Sequence, residues 1–161
     1  MKTLIAAVSL AFVFVSPALL AQTSVKIPAD KPVASITFPE GWKASAGAET
    51  ITASAEDGSA LIDVIVTRPD MLGPSNDKAW ALLKVKPDFD SYKDTKSTLN
   101  GMNVVTVTDD GRTSDGKTMK ITLTALEVTK DQGVMLIQRG EGMAEYADEI
   151  TAILNSVAAA K

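Results

Sequence analysis

Residues 102–139 constrain the fold more than any other part of the chain, because three segments with strand periodicity follow one another across two short turns. Apolar and polar residues alternate along residues 117–125, which is the period of a strand with one buried face. Residues 134–137 are apolar at every position, so we expect this third strand to lie inside the sheet with both faces covered. A covered inner strand needs an element packed on each face of the sheet.

The first 21 residues have the pattern of a secretory signal peptide. Lys2 supplies the positive start, an apolar run follows, and Ala21 is a small residue after a break. We predict cleavage near Ala21 and a mature protein in the periplasm, or secreted beyond it. The alternative, an uncleaved membrane anchor, is disfavoured because a spanning helix needs about 20 apolar residues. No membrane insertion is expected after cleavage.

The composition of the remaining chain excludes several classes of protein. Loss of Lys2 with the signal changes the net charge from −4 to −5, which is a poor basis for binding nucleic acid. The chain has no histidine, the commonest general base and zinc ligand, and no cysteine for disulfides. No cofactor is predicted. Residues 22–32 are predicted to be a flexible lead-in, and residues 33–158 to form a single domain.

Further strands are predicted on either side of one helix. Residues 33–38 alternate as an opening strand, and residues 49–68 have the pattern of a hairpin. The helical spacing of residues 75–84 predicts a helix with Ser75 as its N-cap. The polar segment 88–99 is predicted to form an edge strand with Tyr92 as its main anchor.

The clearest helical periodicity lies at the end of the chain. Residues 143–157 carry apolar side chains at i, i+3, i+4 and i+7, which predicts one amphipathic helix long enough to cross a sheet face. The fold class is therefore α+β, with a mainly antiparallel sheet of about six strands sandwiched between helices.

One catalytic motif has to be weighed. Ser75 and Lys78 match the S-x-x-K pattern at a helix start, and the segment 114–118 contains the beginnings of the second and third motifs of the serine β-lactamases. The context disfavours this interpretation, because Gly116 stands where asparagine is needed and Met119 where glycine is needed. A Ser/Lys hydrolase is the third and least favoured hypothesis.

Two further features suggest binding. Asp109, Asp110 and Asp115 lie in the segment 109–116, where three carboxylates could hold a hard cation such as calcium. Asp-Gly pairs are also typical of hairpin turns, and that interpretation is favoured. Trp42 follows a Pro-Glu-Gly turn; packing against the sheet edge is favoured for its ring over stacking on a ligand.

These segments together resemble a known family. The signal peptide, the sequence Phe-Pro-Glu-Gly-Trp at residues 38–42, the Asn-Gly turn at 100–101 and the terminal Ile-Leu-Asn-Ser-Val at 153–157 are similar to the PsbP-like superfamily, particularly its periplasmic DcrB-type branch in bacteria. The resemblance covers residues 33–157. It implies an antiparallel sheet between helices, no catalytic residues, and a role in binding or assembly.

We therefore expect an exported, non-enzymatic binding or accessory protein that engages a protein partner. The alternative is a binder of a small ligand or divalent metal at the acidic turn. The sequence leaves the partner and the oligomeric state open.

Overall fold

The computed structural model describes residues 22–47, 49–68 and 72–160, except for the side chains of residues 72–76 and 88–89. The predicted signal peptide lies outside these ranges. The strands are β1 (Thr23–Ile27), β2 (Ala34–Phe38), β3 (Lys43–Ala46), β4 (Thr50–Ser54), β5 (Leu61–Thr67), β6 (Lys86–Leu99), β7 (Met102–Arg112), β8 (Thr118–Glu127), β9 (Gly133–Arg139) and β10 (Ala158–Ala159). The helices are α1 (Leu72–Leu83), a 3₁₀ helix (Glu141–Ala144) and α2 (Ala147–Ser156).

The main sheet has seven strands in the order β3-β4-β5-β9-β8-β7-β6, and every neighbouring pair is antiparallel. A smaller sheet has the order β1-β2-β10. The antiparallel α+β architecture was predicted correctly, but the estimate of about six strands was too low. One reason is β3, a short edge strand of alanine, serine and lysine that lacks the apolar alternation by which strands are recognised.

The meander β7-β8-β9 confirms the prediction for residues 102–139. Strand β9 lies between β5 and β8, and its side chains are buried from Gly133 to Gln138. The first turn of the meander is shorter than predicted. Strand β7 continues through Arg112, because Asp110 and Arg112 still pair with Lys120 and Thr118 of β8.

The sheet separates two apolar clusters. On one face, α2 and the smaller sheet cover the strands from β4 to β9, with Phe38, Ile62 and Leu136 among the fully buried side chains. On the other face, α1 packs Trp80 against β7, β8 and β9. Helices therefore lie on both faces of the sheet, as predicted. None of the helices in the described ranges has the length and apolar character needed to cross a bilayer.

The predicted flexible lead-in, residues 22–32, is wrong for residues 23–27. Residues Thr23–Ile27 form β1, which pairs with β2 in register from Thr23 opposite Phe38 to Ile27 opposite Ala34. Ile27 is fully buried in the cluster beneath α2. Strand β1 could not be recognised from the sequence, because a single buried residue in a polar segment produces no detectable alternation.

The predicted helices differ from the observed ones at their ends. Helix α1 begins at Leu72, three residues before the predicted N-cap Ser75, and ends before Lys84, whose φ of 55° is incompatible with a continuing helix. The predicted helix 143–157 is divided into the 3₁₀ helix and α2. Gly142 N donates to the carbonyl of Ser59, which fixes the first turn to the β4–β5 loop.

Strand β6 forms one edge of the main sheet, as predicted for residues 88–99. Its register with β7 shifts between Asp88 and Lys93, where the chain forms an irregular bulge. Tyr92 lies in this bulge and remains 40% exposed, so its predicted role as the anchor of the strand is wrong. Burial and the carboxylates of Asp94 and Asp109 raise the pKa of Tyr92 above its usual value.

Candidate functional site

The half of the main sheet formed by β6, β7 and β8 presents a row of hydroxyl groups on the face that α2 only partly covers. Cross-strand pairing brings these side chains together, since Thr95 lies opposite Thr106, Thr106 opposite Thr124, and Thr108 opposite Thr122. Residues directly opposite each other in an antiparallel pair point to the same face. We call this surface the threonine face; it comprises Thr95, Thr106, Thr108, Thr122 and Thr124.

The hydroxyls of this surface differ in their bonding. Thr124 is buried at its margin and accepts a hydrogen bond of 2.9 Å from Nε2 of Gln138. Thr95 is exposed, and Thr106, Thr108 and Thr122 are half-buried. Within the described part of the chain, none of these four hydroxyls bonds to another side chain. Lys93 lies beside Thr108 on the same face. The surface therefore offers hydroxyl donors and acceptors beside a positive charge.

A cleft of about 730 Å³ lies at the end of the threonine face. Its floor is the start of β8 with Gln138, one wall is the β7–β8 turn, and the other wall is the 3₁₀ helix with Met143. Pockets for small molecules in proteins have volumes of about 300–1,000 Å³ and mostly apolar linings. The lining residues are Thr113, Asp115, Lys117, Thr118, Met119, Lys120, Thr122, Gln138, Gly140, Glu141, Met143 and Ala144.

The wall formed by the β7–β8 turn is held by its own side chains. Thr113 Oγ1 donates to Asp115 Oδ1, and Lys117 N donates to Thr113 Oγ1 at 3.1 Å. Asp115 also forms an ion pair of 3.3 Å with Lys117. The hydrogen bond from the Thr113 hydroxyl, and to a smaller extent the one from Lys117, holds the pKa of Asp115 below its usual value. The stabilisation from this carboxylate is therefore present at neutral pH and is lost only as the pH falls through the lowered pKa.

The three aspartates predicted as metal ligands lie apart from one another. Asp109 and Asp110 are consecutive residues of β7, so their side chains point to opposite faces of the sheet. Asp115 lies in the β7–β8 turn with its own partners. Within the described ranges, no three acidic, histidine or cysteine side chains are grouped where they could hold a metal ion. The segment 109–116 was predicted as one acidic turn, but half of it is strand.

Asp109 is buried on the face of the sheet that α1 covers, with an exposed fraction of only 1%. Its Oδ1 accepts a hydrogen bond of 2.5 Å from the Ser91 hydroxyl, and it also accepts one of 2.8 Å from Asp110 N. Ser91 in turn accepts a bond from Asp110 N at 2.9 Å. These contacts tie the bulge of β6 to β7.

Trp42, the predicted binding candidate, lies in the core beneath α2. It is 6% exposed, its ring stacks on Phe38, and Tyr146 meets it edge to face. Its Nε1 donates a hydrogen bond of 2.5 Å to Glu149 Oε2. The bond to Glu149 joins the β2–β3 turn to α2, and Trp42 is not among the residues that line the cleft.

The hydrolase motif has a different setting. Ser75 lies inside α1, and its side chain is outside the described part of the structure. Lys78 is exposed and lies 4.0 Å from Glu49, to which it can form only a loose ion pair. The β7–β8 turn contributes Ser114, which is also exposed.

The threonine face was missed in the sequence, although a signal for it exists. Threonine alternates with apolar residues in Val-Thr-Val-Thr at 105–108 and in Ile-Thr-Leu-Thr at 121–124. Two neighbouring strands with this pattern place their threonines on one face when they pair in register. The alternation was interpreted only as a mark of a buried face.

Comparison with known proteins finds a likeness in the fold. No family model and no curated protein matches the chain. Its structure is similar to that of CyanoP, the cyanobacterial PsbP of Synechocystis sp. PCC 6803, with a TM-score of 0.56, 10% identity, and coverage of 93% of this chain and 98% of that chain. It is also similar to LpqN of Mycobacterium tuberculosis, a protein involved in cell envelope biogenesis, with a TM-score of 0.51, 11% identity, and coverage of 87% and 92%.

Both structural alignments span almost the whole of each chain, so the likeness concerns the complete fold. The resemblance to the PsbP-like superfamily is thereby confirmed for the fold. At identities of 10–11% the likeness extends to the fold alone. The narrower likeness to DcrB-type proteins stays a prediction.

Proposed function

We propose that this chain is an exported accessory protein that binds a partner protein through the threonine face and catalyses no reaction of its own. The observation that carries the proposal is the threonine face. Four of its five hydroxyls, those of Thr95, Thr106, Thr108 and Thr122, bond to no other side chain in the described structure, while the neighbouring strands of the same sheet are covered by α2. Protein interfaces outside obligate complexes are polar and use about one hydrogen bond per 100–200 Å².

The shape of this surface also favours a macromolecular partner. Helix α2 forms a ledge along the threonine face, because Thr151, Leu154 and Asn155 border a groove of about 210 Å³ against β6 and β7. The larger cleft opens at the opposite end, beside Thr122. A partner segment lying across β6, β7 and β8 would contact hydroxyls along its length and enter a cavity at each end.

Export supports a role in the cell envelope. Residues 1–21 carry the pattern of a signal peptide, and LpqN, whose fold is similar, is described as involved in cell envelope biogenesis. An exported protein with an open polar sheet face is suited to assembly or accessory binding there.

Site-specific photo-crosslinking in the exporting cell tests the proposal. A photoreactive residue at Thr108 is expected to capture one partner protein in high yield, because this position lies in the middle of the threonine face. The matched control is Ser45, which is exposed on the opposite edge of the main sheet and should capture no enriched protein.

Charge can then be used to block the surface. Thr106→Lys combined with Thr108→Lys adds two cations beside Lys93 and should reduce capture from a photoreactive residue at Thr122, which lies opposite Thr108 and away from β6, at least tenfold. Equal capture from Thr108 and Ser45, or capture that survives the two lysines, would contradict a docking role for the threonine face.

A second candidate function is supported by the cleft itself. Its volume suits a small organic ligand, and Met143 gives it an adaptable apolar wall next to Lys120. The apolar anionic dye 1-anilinonaphthalene-8-sulfonate is therefore expected to bind folded protein with increased fluorescence. Met143→Trp should fill the cleft and lower that signal at least fivefold, whereas Leu82→Trp, at an exposed position of α1, should leave it unchanged. Equal signals from both variants would exclude the cleft as the binding site.

A further inference from the structure

The outer edge of β6 is open to another strand. Strand β6 pairs with β7 on one side, and no other strand in the described ranges pairs with its outer side. From Lys93 to Leu99 the register with β7 is regular, and residues 93–98 are exposed. Alternate residues of an edge strand turn their N–H and C=O groups outward, where a second strand can bond to them.

Proteins protect such edges with lysines and bulges, and β6 has both devices. Lys93 and Lys96 lie on the edge, and the bulge before Lys93 limits the length of regular strand. Asp94 lies between these lysines, however, and weakens the protection that their positive charges give against pairing with another strand. A strand that carries both signs of charge at close spacing repels only partners whose charges do not match.

A second copy of the same strand matches in one register. Two copies of β6 can pair antiparallel about a twofold axis perpendicular to the sheet. The threonine faces of both copies then lie on the same side of the joined sheet. If Thr95 lies opposite Thr95 of the second copy, each Asp94 lies opposite Lys96 of the other copy. Opposite charges and threonine pairs directly across strands are stabilising, and like charges are destabilising.

The neighbouring registers that preserve the faces are less favourable. A shift in one direction places Asp94 opposite Asp94, and a shift in the other direction places Lys96 opposite Lys96. Asp94, Lys96 and Lys93 form no ion pair with other described residues, so their charges are available to a partner strand. The charge pattern of β6 therefore selects a single self-complementary register.

We propose that two copies of this chain form a symmetric dimer through β6, with Thr95 on the twofold axis and Asp94 paired with Lys96 in both directions. The dimer joins two seven-stranded sheets into one continuous sheet. It also joins the two threonine faces into one surface, since Lys93, Thr95 and Ser97 share the face of Thr106 and Thr108. Exposed ion pairs are weak, so association is reversible and depends on concentration.

Charge exchange tests this dimer by sedimentation of the purified chain over a concentration series. Asp94→Lys and Lys96→Asp should each weaken dimerisation at least tenfold, equivalent to about 1.4 kcal/mol, because each change creates two like-charge pairs. The double variant, Asp94→Lys with Lys96→Asp, restores both attractive pairs and should restore dimerisation. Both positions are exposed, so all three variants are expected to fold.

A cysteine crosslink gives an independent measurement. The chain contains no cysteine, so Thr95→Cys introduces a single thiol that should form an intermolecular disulfide under mild oxidation. Ser45→Cys, on the opposite edge, is the control and should crosslink at least tenfold more slowly. The proposal is overturned by a monomer at every concentration, by dimerisation that the single charge changes do not weaken, or by equal crosslinking from both cysteines. Each of these results leaves the partner proposed for the threonine face untouched.

Discussion

Gly140→Ala is expected to lower the free energy of unfolding by about 4 kcal/mol, the combined effect of backbone strain of about 1–3 kcal/mol and overpacking of about 1–3 kcal/mol. The backbone at Gly140 has φ 124° and ψ 162°, a conformation that is essentially restricted to glycine. A Cβ atom there would lie 2.1 Å from the carbonyl oxygen of Ser59. Neither the added Cβ nor the Ser59 carbonyl can move easily, because both belong to the main chain. Gly140 directly follows the end of β9, and Ser59 lies just before the start of β5.

Gly116→Ala is the matched control. Gly116 also has a positive φ, 83°, but no atom lies within 4 Å of the position of an added Cβ. Its cost is therefore limited to the strain of a left-handed alanine, roughly 1–2 kcal/mol. Urea unfolding followed by circular dichroism measures both variants. Similar losses for the two variants would show that contact with Ser59 is unimportant for the fold.

The position of Gly140 connects this prediction to the cleft. Gly140 joins β9 to the 3₁₀ helix that forms one wall, and Gly142 N bonds to the Ser59 carbonyl. An added Cβ at Gly140 pushes that wall away from the β4–β5 loop. We therefore expect the variant to lose dye binding in the cleft at urea concentrations where its far-ultraviolet spectrum is still native.

The parts of the fold that were predicted from the sequence are those fixed by local periodicity. The meander β7-β8-β9 could be recognised because strands buried on one or both faces have distinct patterns of apolar residues. Helix α2 was recognised from its i, i+3, i+4 spacing. The break between the 3₁₀ helix and α2 could not be, because it depends on the fit of Gly140 and Gly142 against Ser59, which is 81 residues or more earlier in the chain.

The candidate site was harder to predict, because it depends on which part of the sheet is left open. Threonine alternation was visible in both strands, yet an open threonine face and a covered one have the same sequence pattern. Only the position of α2, which covers part of this face and borders β6 and β7 along a groove, decides which threonines are accessible. The aspartates of the segment 109–116 do not form a cluster for a related reason. Strand β7 continues through Arg112, so Asp109 and Asp110 point to opposite faces of the sheet.

The second large effect is expected at Asp63, which is 5% exposed in β5 and accepts hydrogen bonds from Arg139 Nη2 at 2.9 Å and Thr52 Oγ1 at 2.8 Å. Asp63→Ala should destabilise the protein by about 3 kcal/mol, because it leaves a partly buried guanidinium without its carboxylate. Arg139→Met should lower the free energy of unfolding by at least as much, since it leaves the Asp63 carboxylate, the more deeply buried partner, without its guanidinium. Equilibrium urea unfolding of each variant gives these values.

The double variant Asp63→Val with Arg139→Met distinguishes a coupled pair from two independent contributions. Replacing both members of a buried ion pair with apolar groups is often close to neutral, so we expect the double variant to recover most of the stability that each single variant loses. Glu49→Ala removes one partner of the exposed pair with Lys78 and should change stability within experimental error. Additive losses at Asp63 and Arg139 would mean that the packing of each side chain, and not their mutual attraction, joins β5 to β9.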